Sequence, residues 1–135
     1  MTKIRTTYIG DLHVQAIHLD SGSLIETDAP VDNQGKGELF SPTDLFATSL
    51  AACMITIMGI SARNYGFALE GAYAEVEKVM ASSPRRVAEI IVDLHFPDGK
   101  SYGERERKLI EAAAKACPVA NSLHPDLKKT LRFHY

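Results

Sequence analysis

The longest uncharged stretch of the chain runs from Leu45 to Ala62, and its apolar residues do not form a single stripe. Leu45, Phe46, Leu50, Met54, Ile55, Ile57, Met58 and Ile60 would point in nearly every direction around a helical axis. A helix that is apolar all round needs cover all round. Its ends are marked. Ser41 suits the N-cap, Pro42 the first helical position, and Asp44 the first turn, where its charge meets the positive end of the helix. Arg63 falls in the last turn and Gly66 just beyond it. The pattern predicts a central helix over 41–64. A membrane span takes ~20 apolar residues. This run is at the short limit, carries Thr48, Ser49, Thr56, Gly59 and Ser61, and has neither aromatic belts nor a flanking basic cluster. The expectation is therefore no membrane, and a buried helix. A small domain has too little mass to cover such a helix alone. Its own sheet on one side and a second subunit on the other would do so.

Before the helix the period is two. Residues 2–9 and 12–18 read as strands around a Gly10-Asp11 turn, with Leu12, Val14 and Ala16 alternating with His13, Gln15 and Ile17. Asp20-Ser21-Gly22-Ser23 is a turn and Leu24–Asp28 a third strand, giving an antiparallel meander. Residues 29–40 form a long loop with two glycines, of a length that often carries function.

After the helix the alternation returns. In Leu69–Met80, Ala72, Ala74 and Val76 face one way and Tyr73, Glu75 and Glu77 the other, until Lys78 and Val79 break the pattern. Ala81-Ser82-Ser83-Pro84 turns the chain. In Val87–Phe96, Ala88, Ile90, Val92, Leu94 and Phe96 face inward and Glu89, Asp93 and His95 outward, with Ile91 the exception. This is an antiparallel hairpin with one wet face, closed at Pro97-Asp98-Gly99. Residues 103–116 predict a second helix, buried along Leu109, Ile110, Ala112, Ala113 and Ala116 and solvated along the charged run 104–108. Cys117 precedes a proline, so it marks a break. With Pro118 opening a new short helix, Cys117 would be its N-cap, where the helix end lowers a thiol pKa. Residues 130–135 alternate as a final strand. The order βββ-α-ββ-α-β makes the fold class α+β.

The chain has 135 residues and is expected to be one domain, 1–135, with an ordinary 45% hydrophobic content. A net charge of -2 gives no basic footprint for nucleic acid. Met1–Thr7 lacks an apolar signal segment, so a cytoplasmic location is expected. The five histidines and two cysteines show no zinc-type spacing, and no cofactor motif is present. Cysteine is the one credible nucleophile. Cys53 and Cys117 read either as two buried apolar residues or as a peroxidatic thiol and its resolving partner.

The stretches Ser41-Pro42-Thr43-Asp44-Leu45-Phe46 and Ala51-Ala52-Cys53, followed by Cys117-Pro118-Val119-Ala120-Asn121-Ser122-Leu123, resemble the two cysteine motifs of the OsmC/Ohr family (osmotically inducible protein C and organic hydroperoxide resistance proteins). The order of elements is similar across nearly the whole chain. The resemblance implies an intertwined α+β homodimer, with long central helices between sheets and two sites at the interface. It implies a thiol-dependent peroxidase in which Cys53 attacks an organic hydroperoxide or hydrogen peroxide and Cys117 closes a disulfide. A dithiol or lipoyl group would be the reductant. Family hydroperoxidases carry an activating arginine in the N-terminal sheet, but here no arginine lies between Thr6 and Ala62. Lys36 or Arg5, reaching in from a second subunit, could supply the cation. Thr43 stands where the family has a glutamate, with Asp44 beside it and Glu38 in the preceding loop. A protein of this fold that binds a hydrophobic ligand, or a redox sensor, is the alternative.

Overall fold

The computed structural model describes residues 1–97 and 101–135. The chain forms two compact units, Met1–Phe46 and Ala47–Tyr135.

In the first unit β1 (Ile4–Gly10), β2 (His13–His18) and β3 (Leu24–Asp28) make the expected antiparallel meander in sequence order. The β1–β2 connection is tighter than a simple turn. Gly10, Asp11 and Leu12 all have positive φ, and the register shifts between Tyr8 and Gly10. Glycine tolerates that conformation freely; Leu12 is held there with its N–H on the Tyr8 hydroxyl at 3.3 Å. Cross-strand pairing of Thr6 with Ala16 and Ile25, and of Tyr8 with Val14 and Thr27, puts one largely apolar face on this sheet. Tyr8, Ile4 and Ile25 on that face stay exposed. The loop after β3 contains a short 3-10 turn at Val31–Asn33.

The central helix, α1, spans Pro42–Tyr65. Ser41 Oγ accepts the Asp44 N–H at 3.0 Å, and the Asp44 carboxylate accepts the Ser41 N–H at 2.8 Å. Two N–H groups that a helix start leaves unpaired are thereby satisfied reciprocally. Among the described residues α1 is the one helix long and apolar enough to cross a membrane by length and composition. Within one chain it is covered on one side. Ala47, Leu50, Ala51, Met54, Met58 and Ala62 form one buried stripe, while Ala52, Thr56, Ile60 and Arg63 are exposed. The stripe recurs every three or four residues, the spacing of one helix face.

In the second unit β4 (Tyr73–Ser82) and β5 (Arg85–His95) pair antiparallel, and β6 (Lys128–His134) lies parallel to β5 on its other side. β4 begins four residues later than the alternation suggested, and the expected break appears as a register shift between Val79 and Met80. Asp98 and Gly99 of the expected closing turn lie outside the described residues. Ile90, Val92, Leu94 and Phe96 are buried in one core cluster with the α1 stripe. Each large side chain fully buried there contributes about 1.5–3 kcal/mol. A parallel pair needs a crossover. It is built from α2 (Glu104–Lys115) and α3 (Pro118–Ser122). On α2 the buried residues are Ile110, Ala113 and Ala114, whereas the expected Ala112 and Ala116 are exposed. With Cys117 these continue one stripe at i, i+3, i+4 and i+7.

Candidate functional site

Pro118 has no N–H to continue α2, so the chain breaks at Cys117 and restarts. Cys117 is extended (φ -70°, ψ 139°) and caps α3, as the sequence predicts. Its sulfur accepts the Ala120 N–H at 3.3 Å, and its carbonyl accepts the Asn121 N–H at 3.2 Å. The Cys117 side chain is fully buried; Cys53, in the middle of α1, is half-buried at the edge of the buried stripe. Both are free thiols.

Cys53 packs against the core cluster that contains Cys117, close enough to influence its titration. Burial pushes the Cys117 thiol above its ordinary pKa; the Ala120 N–H opposes that, the neighbouring Cys53 adds to the rise, and the Val119 N–H opposes it again. The expectation of a lowered pKa at this helix start is thus corrected. The amides are in place, but burial wins over a helix end of one short turn.

The other sequence-predicted site residues sit in the first unit and have partners there. Lys36 Nζ is 2.9 Å from the Asp11 carboxylate, a pair that holds Asp11 below and Lys36 above their ordinary values. The Glu38 N–H donates to the buried Asp28 carboxylate at 3.1 Å. Asp44 closes the cap of α1. Arg5 lies exposed on β1, paired with Ile17. Among the described residues, no group of three or more His, Cys, Asp or Glu side chains is placed to hold a metal ion.

One cluster was invisible in the sequence. Tyr73, His95 and His134 stack across β4, β5 and β6, with ring centroids 4.7 and 4.6 Å apart. His134 Nε2 is 2.7 Å from the Asp93 carboxylate, and His95 Nε2 is 3.5 Å from Glu75. These histidines read as wet strand faces in isolation. Only the non-local register of β6 on β5 brings them together.

Residues 35–132 match the family model of OsmC-like proteins. The fold matches crystal structures of such proteins. One, assigned to osmotic stress induction and the detoxification response in Psychrobacter arcticus 273-4, is 51% identical with a TM-score of 0.93, covering 99% of this chain and 96% of that one. The organic hydroperoxide resistance protein OsmC of Legionella pneumophila is 20% identical with a TM-score of 0.75, covering 100% and 97%. An organic hydroperoxide resistance protein of Vibrio cholerae O1 biovar eltor str. N16961, with captopril in one active site, is 20% identical with a TM-score of 0.74, covering 98% and 90%. No match to this sequence is found among curated proteins. Two cysteine motifs brought side by side, a matching fold and a family model spanning most of the chain meet in one conclusion: the chain belongs to the OsmC-like protein family.

Proposed function

We propose that the protein is a thiol-dependent peroxidase for organic hydroperoxides, acting as a homodimer. The observation that carries this reading is that two free thiols, Cys53 and Cys117, are brought side by side from distant parts of the chain. Cys53 is half-buried; Cys117 is buried, and burial favours its protonated form. A Cys53 thiolate attacks the terminal peroxide oxygen, the O–O bond breaks, and the alkoxide takes a proton to leave as an alcohol. Cys53 is then a sulfenic acid. The Cys117 sulfur attacks the Cys53 sulfur and hydroxide departs; with the Cys117 proton it makes water. An external dithiol of the lipoyl kind reduces the disulfide and is itself oxidised.

The homodimer is supported by what one chain leaves open: Ile60 on α1, and Ile4, Tyr8 and Ile25 on the first sheet, are apolar and 49–64% exposed. A second copy would cover them, and Arg5 or another cation of that copy would offset the charge on Cys53. A cytoplasmic location fits two unbridged thiols.

The second reading is a hydrophobic-ligand protein of the same fold. It is favoured by the engagement of Lys36, the lysine of the loop before α1, with Asp11. Steady-state cumene hydroperoxide reduction with dihydrolipoamide separates the two. Turnover that Cys53→Ser abolishes, and that Cys117→Ser limits to one cycle before overoxidation, supports the peroxidase. Unchanged turnover in Cys53→Ser overturns it.

A further inference from the structure

We propose that the cavity between α1, α2, α3 and β6 is a binding site for an acyl carboxylate, held as an unreacting ligand. The cavity has a volume of about 490 Å³, within the range of small-molecule sites. Met54, Ala120, Leu131 and Phe133 give it apolar walls; Lys115, Lys129 and Glu111 supply its charges.

The charges are not scattered. The Tyr135 hydroxyl donates to the Glu111 carboxylate at 3.2 Å and to the Arg107 carbonyl at 3.4 Å, so the end of β6 lies beside the early turns of α2. The two elements therefore run in opposite directions along the cavity. Lys115, in the last turn of α2, and Lys129, at the start of β6, fall at the same end. Phe133 lies about 13 Å further along the strand, at a rise of ~3.3 Å per residue. Neither lysine has an ion pair among the described residues. Glu111 is already engaged by the Tyr135 hydroxyl. The result is a slot with a positive mouth and an apolar length, the complement of a molecule with one anionic head and one alkyl tail. A neutral chain would fill the walls and leave both ammonium groups unmatched. A small anion would meet the lysines and leave the apolar length empty.

This goes beyond the peroxidase reading, because an acyl carboxylate has no peroxide bond to reduce. The cavity nonetheless adjoins the thiols: Met54 follows Cys53 in α1, and Ala120 carries the N–H that holds the Cys117 sulfur.

The test is calorimetric titration of the full chain with decanoate and, separately, decanol, at low ionic strength and below micelle formation. Decanoate is expected to bind about tenfold more tightly than decanol, since two exposed charge contacts are worth up to ~1 kcal/mol each. The K115Q/K129Q variant changes only surface side chains and is expected to lose that preference while binding decanol unchanged. Equal affinity for the two probes, an undiminished preference in the variant, or no binding of decanoate overturns the proposal. Peroxide turnover enters none of these readouts, so the site stands or falls apart from the function of Cys53.

Discussion

Cys117 is fully buried beside Cys53, which is only half-buried. The two thiols are neighbours, yet a reagent in solution meets them differently. Iodoacetamide at pH 7.5 is expected to label Cys53 at least about tenfold faster than Cys117, because the attacking species is an accessible thiolate. Peptide mass spectrometry over time reads both rates. Unfolding in urea should erase the difference. Equal labelling of the native protein would mean that the burial of Cys117 does not govern its chemistry.

The outer face of the second sheet predicts an acid dependence. The bond to His134 holds Asp93 below its ordinary pKa, against its partial burial, with Arg132 helping. The folded state therefore binds the Asp93 proton less readily than the unfolded chain does. Its contribution is complete above the unfolded value of ~3.9 and is lost as pH falls through the folded value. Asp93→Asn should lower the urea midpoint at pH 7 and converge with the wild type as the pH falls below the folded value of Asp93. A constant gap between the two across that range would exclude the pair as its source.

Helix α1 depends on its first turn. Ser41→Ala removes the acceptor for the Asp44 N–H and the hydroxyl that meets Thr43 Oγ1 at 3.2 Å. The expected loss is about 1 kcal/mol of unfolding free energy. Urea denaturation followed by circular dichroism measures it. A loss below a few tenths would show that the cap is replaced by water.

The open side of α1 bears on assembly. If a second copy covers it, Ile60→Glu buries an unpaired carboxylate in the interface. Sedimentation should show a shift to monomer at micromolar concentration, with helix content unchanged. A dimer as tight as the wild type would place the interface elsewhere.

Local signals were legible wherever a residue acts on its own neighbours. Ser41, Pro42 and Asp44 announced the start of α1, and Pro118 announced the break that makes Cys117 a cap. Alternation announced the meander and the core face of β5. What was hidden depended on partners distant in sequence. The expectation that a helix end lowers the Cys117 pKa failed because burial cannot be read from a capping motif. Ala114 was missed because small residues carry little periodic signal, and Ile110 with Cys117 defines the stripe only once both are known to be buried. The His95–His134 stack required the parallel register of β6, which no local pattern encodes. Apolar residues all round α1 signalled a need for cover, and one chain supplies it along a single stripe.

The position of the two thiols gives the oxidised state a mechanical meaning. Between Cys53 and Cys117 the chain contains the rest of α1, both strands of the β4–β5 hairpin and all of α2. A bond between them would tie off most of the second unit as one closed loop. Closing a loop of that size in the unfolded chain is worth about 4 kcal/mol on the chain-entropy account. A catalytic disulfide here would double as a staple, so each encounter with oxidant would leave the protein harder to unfold until a reductant released it.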